Sequence, residues 1–250
     1  MTESRQITSD FDIDVETLRE RFAEGMQCCL ENHAQQDTSD DISPAALDDS
    51  MQHLFTILEK IHSQDDHAGE LLKQEMDELP NYCIGLLDEL SDKAKTLGCD
   101  ESSITFEQLS IPLALLFAKL NLDMTEVELV ANAISNTANH SQDLQRLAEL
   151  TDVIDVLANM CSAEIKADLD KSNPGRPWRV LNMNQAIIAT RSLDPKRMES
   201  VFEQLMFHLP EDAPGFFAES IQQMDIIYYP AHVREVMQNY YQLINQPTLH

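Results

Sequence analysis

Ile111-Pro-Leu-Ala-Leu-Leu-Phe-Ala-Lys-Leu120 decides the reading of this chain. Across 103–121 the residues are apolar on nearly every side, which in a helix means burial at the centre of the fold. The run ends at Lys119 and is far shorter than the roughly 20 residues that a bilayer span requires. Pro112 is expected in the first turn of this helix, where its missing N–H costs nothing.

Outward from it, the apolar residues recur with helical spacing, glycine is scarce, and strand-like alternation is nearly absent. Toward the N-terminus, Leu86, Leu87, Leu90, Ala94 and Leu97 form one face, closed by Gly98. A helix near Ala68–Leu79 meets Pro80. Ser43-Pro44 opens another with the cleanest apolar stripe: Leu47, Met51, Leu54, Phe55, Leu58 and Ile61. Asp14 caps the first, with Val15, Leu18, Phe22, Met26, Cys29 and Leu30 inward. Toward the C-terminus, Thr125-x-x-Glu128 reads as a capping box and Ser141 as the cap of a long helix. Starts at Asp194-Pro195, Pro214 and Pro230 have the spacing of solenoid-like helical hairpins, without residue self-similarity. The fold class is all-α, a multi-helix bundle or irregular helical array of about ten helices. Residues 1–13 read as a disordered acidic lead-in, 14–170 as an acidic helical domain, and 171–250 as a smaller, near-neutral helical domain packed on it.

The net charge is −27, and residues 1–165 hold nearly all of it, with 9 Lys and Arg against 34 Asp and Glu. Such a field repels nucleic acid and anionic membranes, and attracts basic partners. Five cysteines without a C-x-x-C read as reduced thiols, Cys28 and Cys29 being poorly placed to bridge each other. With no leader pattern at Met1–Arg5, the expected location is the cytoplasm.

Six glycines leave little scope for a phosphate-cradling loop, and no nucleotide, hydrolase or metalloprotease motif occurs. Glu59-x-x-His62 has the spacing of a metal-ligating pair on a helix, but no second such pair exists to complete a di-iron site. No cofactor is implied. Segment 166–197 carries seven basic residues against three acidic ones, with the sole tryptophan in Arg176-Pro-Trp178-Arg179. Tryptophan and arginine are enriched at binding hot spots. The same composition suits a basic segment docked on the acidic part, with Trp178 closing the seam. Paired aromatics at Phe216-Phe217, Tyr228-Tyr229 and Tyr240-Tyr241 either fill the core or, with Arg234, line an aromatic groove.

The leading expectation is a non-enzymatic protein–protein interaction module, binding a protein partner through Arg176, Trp178, Arg179, Tyr228, Tyr229 and Arg234. The alternatives are a helical-bundle metal-binding protein or small-molecule enzyme using Glu59 and His62, and an acidic charge mimic of nucleic acid.

Overall fold

The structure, a computed structural model, describes residues 11, 13–35, 42–63 and 76–245, with the side chains of 62 and 63 excluded. The acidic lead-in at 1–13 therefore lies almost wholly outside the described residues, as do residues 68–75 of the helix expected at 68–79. The chain is all-α. Its helices are α1 (Val15–His33), α2 (Pro44–Ser63), α3 (Leu79–Thr96), α4 (Asp100–Lys119), α5 (Glu128–His140) and α6 (Leu144–Met160). They continue with α7 (Ala163–Ala167), α8 (Pro177–Arg191), α9 (Pro195–His208), α10 (Ala213–Ile226) and α11 (Ala231–Asn245). Among the described residues no helix is long and apolar enough to cross a membrane.

Two compact units divide the chain: Met1–Thr137 with Asn159–Glu164, and Ala138–Ala158 with Ile165–His250. The change of composition at 170/171 does not coincide with this division, because most of α6 groups with the C-terminal helices.

Helix α4 is the centre of the first unit, with twelve of its residues buried. It packs against α3 and α1, and α2 packs on α1 and α3. Pro112 lies inside α4 rather than in its first turn, because the helix starts twelve residues earlier, at Asp100. The Gln108 carbonyl thereby loses its usual donor. Gly98 ends the preceding helix with φ +72°, and the Cys99 N–H bonds back to the Ala94 carbonyl at 2.8 Å. That left-handed turn, which glycine adopts without a Cβ clash, delivers Cys99 to the N-cap of α4.

Asp14 caps α1 by accepting from the Thr17 N–H at 2.8 Å, and Ser43 accepts from the Ala46 N–H at the start of α2. Two other expected caps are corrected. Helix α5 begins only at Glu128, and the Thr125 and Glu126 N–H groups donate to Asn81 Oδ1. Helix α6 is capped by Asp143, which accepts from Gln145 and Arg146, while Ser141 supports Asp143 itself.

The cysteines also depart from expectation. Cys28 and Cys99 are joined in a disulfide across 71 residues, with Cα atoms 6.1 Å apart. Sequence adjacency ruled out a bridge between Cys28 and Cys29, but it says nothing about a partner on another helix. Cys29, Cys83 and Cys161 are buried thiols.

At the heart of the first unit, the Phe22 ring lies 5.5 Å from Phe55 and 5.6 Å from Phe106, joining α1, α2 and α4. Gly25 lets α1 approach α4 here, since a Cβ on it would lie 2.9 Å from Phe106 Cε1. In the second unit Phe202 holds the same place, ringed by Phe216, Phe217 and Tyr240 at 5.9, 5.1 and 5.3 Å. Helix α11 packs on both α10 and α9, and α8 packs on α9.

Phe22→Ala is expected to cost about 3–5 kcal/mol through the cavity it leaves. Gly25→Ala should cost about 1–3 kcal/mol through overpacking against Phe106. Gly85→Ala, whose Cβ meets nothing within 4 Å, should instead gain up to about 1 kcal/mol of helix propensity. Denaturant midpoints read by circular dichroism check all three.

Candidate functional site

The Arg176–Arg179 segment is a clasp, not a presented loop. Asn173 turns the chain by accepting from the Gly175 N–H at 2.9 Å, and Pro177 then opens α8. Arg176, only 6% exposed, donates through Nε to Asp168 at 2.7 Å and through Nη2 to Asp212. Arg179 reaches the other Asp212 oxygen at 2.7 Å and also donates to the Pro174 carbonyl. Lys171 completes the network on Asp168 at 2.7 Å. Burial works to raise the Asp212 carboxyl, but hydrogen bonds and charge from Arg179 and Arg176 outweigh it and hold it below the ordinary carboxylate range.

Trp178 is 5% exposed, with its ring 4.9 Å from that of His208. Its carbonyl accepts from Asn182 Nδ2, and Asn182 Oδ1 meets His208 Nδ1 at 2.7 Å. Burial, with Lys166 adding to it and Asp155 opposing, lowers His208, so the ring is neutral at pH 7. The expected exposed Arg–Trp surface is thus corrected, since Arg176 and Trp178 are both buried. Asp168 and Asp212 belong to the same unit as the loop, and they satisfy the guanidinium groups that the sequence left without a partner.

Tyr228 and Tyr229 differ. Helix α10 ends at Ile226 and α11 begins at Ala231, leaving Ile227–Pro230 as a connector. Tyr228 is 92% exposed, Ile226 78% and Ile227 52%. Beside them runs a groove of about 360 Å³ lined by Ile187 and Thr190 of α8, Phe216, Ser220 and Met224 of α10, and Ile227 and Tyr229. Arg191 and Glu219 stand at it as the charged residues. Arg234 has another task, donating to the Met224 carbonyl and to Asp225 Oδ1 at 3.0 Å, where it neutralises the C-terminal end of α10. Sequence reading missed Ile187, Ile226 and Ile227. The available signal was four consecutive large apolar residues at 226–229 ahead of a proline, since residues 100° apart along a helix cannot all face inward.

Glu59 accepts an ion pair from Arg19 at 2.9 Å, and the Arg19 guanidinium also lies over the Phe55 ring. The side chain of His62 lies outside the described residues. Among the described residues no three His, Cys, Asp or Glu gather where they could hold a metal ion. Cys28 is bridged, and burial raises the Cys29 thiol despite a hydrogen bond with Ser102. Cys83 is pushed up to about 12 by burial.

The first unit has an acidic hollow of about 770 Å³ between α3 and the start of α5. Glu78, Asp88, Glu89, Glu126 and Glu128 line it, with Tyr82 and Asn81. Burial raises the Asp88 carboxyl, and repulsion from Asp92, Glu128 and Glu107 adds to this against the pull of Lys95.

No family model, curated protein or solved structure matches the chain.

Asp212 has a folded pKa below its unfolded one, so its stabilisation is present at neutral pH and is lost as acid protonates the folded carboxyl. Asp212→Asn should therefore destabilise by on the order of 2 kcal/mol at pH 7. That gap should close as the pH falls below about 4. Thermal or urea unfolding of both proteins across pH 2–7 reads this directly.

Proposed function

We propose that this protein is a non-enzymatic interaction module, an adaptor or regulator, that takes an apolar segment of a protein partner into the groove between α8 and α10. The observation that carries this reading is the cluster of Ile226, Ile227 and Tyr228, left in water beside a groove with Phe216 and Met224 in its wall. Contiguous apolar patches of this kind mark interaction sites. Covering each such side chain is worth about 1.5–3 kcal/mol. Tyrosine adds large area for the loss of only two torsions. The two faces of the groove present residues at helical spacing, Ile187 with Thr190 and Phe216 with Ser220 and Met224, which suits a helix or extended peptide laid along them.

Nucleic acid and membrane surfaces are not partners in this reading, since the acidity of residues 1–165 repels both. The proposed compartment is the cytoplasm, where the bridge between Cys28 and Cys99 then marks an oxidised form of the protein.

The acidic hollow favours a second reading, in which the first unit binds a basic segment as a mimic of nucleic-acid charge. Five carboxylates line that one concavity, and repulsion from Glu128 adds to the burial that raises Asp88, a repulsion that a cation would relieve.

Affinity capture from native lysate should yield a protein held by wild type and lost from the Ile227→Asp/Tyr228→Ala variant. Retention of every partner by that variant would remove the groove from the proposal. The charge-mimic reading has a separate signature. A basic partner's affinity should fall at least tenfold between about 50 and 200 mM salt and compete with DNA. Binding that ignores salt counts against it.

A further inference from the structure

We propose that the Cys28–Cys99 bridge is a thiol-exchange site, opened by a small uncharged or cationic thiol that attacks Cys28 and leaves Cys99 as the released thiolate. Three independent features of the site assign these roles. The bridge borders a hollow of about 640 Å³ between the end of α1 and the start of α4, which gives a small thiol room to enter. Cys28 is only half-buried whereas Cys99 is 3% exposed, so an attacker reaches Cys28 first. Cys99 is also the sulfur prepared to leave. Asn32 Nδ2 lies 3.3 Å from Cys99 Sγ and 3.7 Å from Cys28 Sγ, while its other hydrogen is held by the Leu97 carbonyl at 3.0 Å. Cys99 stands at the N-cap of the twenty-residue helix α4, where the positive end of the helix dipole favours a developing anion against the opposing charge of Asp100 and Glu101.

The step balances without an outside oxidant or reductant. A thiolate RS⁻ forms a bond to Cys28 Sγ as the Cys28–Cys99 bond breaks, and the electron pair of that bond departs on Cys99 Sγ. One disulfide is traded for another, leaving R–S–S–Cys28 and a thiolate at Cys99 that Asn32 and the helix terminus hold. In reverse, Cys99 attacks Cys28, the bridge reforms and RS⁻ leaves. Leaving-group stability and access govern such rates.

Which thiols enter is a matter of charge. Glu24, Glu31, Asp100 and Glu101 line the hollow, and all four are exposed. Their field opposes an approaching anion and draws in a cation over a range of about 10 Å at 0.1 M salt. Cys29, adjacent in sequence, is turned into the core and takes no part.

The test uses the intact oxidised protein with three thiols of similar size: cysteamine, 2-mercaptoethanol and 3-mercaptopropionate. Each rate is taken per thiolate and divided by the rate of the same thiol with a small uncharged disulfide. Acid-quenched samples are alkylated and mapped by peptide mass spectrometry. The expected result is an adduct on Cys28 with an alkylated Cys99. Cysteamine should be favoured over 3-mercaptopropionate by about tenfold at low ionic strength, a preference that shrinks at 1 M salt. Asn32→Ala should slow all three thiols by a similar factor of about three to ten while keeping their order. Adducts on Cys99, equal normalised rates for the three thiols, or no exchange in the folded protein would each overturn the proposal. The charge series is read on wild type, so it stands even if Asn32→Ala fails to fold.

Discussion

From Leu109 to Phe117 helix α4 has no face to give to water, and the first unit is arranged around that constraint. With twelve of its residues buried, α1 and α3 must lie directly against it, and α2 must close over α1 and α3. Gly25 sets how near α1 can come, and Phe22 fills the space that this approach leaves between Phe55 and Phe106. Polar groups that α4 cannot avoid burying are satisfied across its contact with α3. The Ser91 and Ser103 hydroxyls lie 2.9 Å apart, Ser91 donates to Glu107, and Lys95 pairs with Glu107 from outside. Among the described residues of the first unit no charged side chain is buried. This is how a chain with so large a net charge keeps an uncharged centre.

What was legible in the sequence was what short-range chemistry settles. The caps at Asp14, Ser43 and Asp194 and the turn at Gly98 were readable because donor, acceptor and backbone lie within five residues. Thr125 and Ser141 misled for two different reasons. The acceptor that takes the Thr125 N–H is Asn81, 44 residues away, and no local pattern reveals it. At α6 a nearer carboxylate, Asp143, displaced the serine. Pro112 misled because enough packing around α4 tolerates a proline within a helix that its propensity alone would end.

The candidate site divided along the same line. Arg176 and Trp178 were correctly picked out as unusual, but exposure was inferred from residue type, and type alone does not fix burial. The deciding residues are Asp168 and Asp212; the latter lies 36 positions from Arg176, a long-range pairing that only the folded chain shows. Tyr228, which is exposed, was singled out because aromatic pairs stand out. Ile187 was not, because a single isoleucine on a helix looks like core until its neighbours are known. The bridge between Cys28 and Cys99 escaped for the same reason, since cysteine connectivity is a property of the fold rather than of spacing.

The division of the chain carries a consequence for how the protein is made. Residues 159–164 complete the first unit, where the Met124 N–H bonds to the Met160 carbonyl and the Ser162 N–H returns to Met124. Between Met124 and that return lie residues 138–158, which belong to the second unit. A ribosome releasing this chain from the N-terminus therefore exposes the first stretch of the second unit before the first can close. That stretch must wait for Gln185 and Arg197, which bond Thr151, Asp152 and Asp155 in the folded unit. The order of synthesis thus runs against the order in which either unit can be finished.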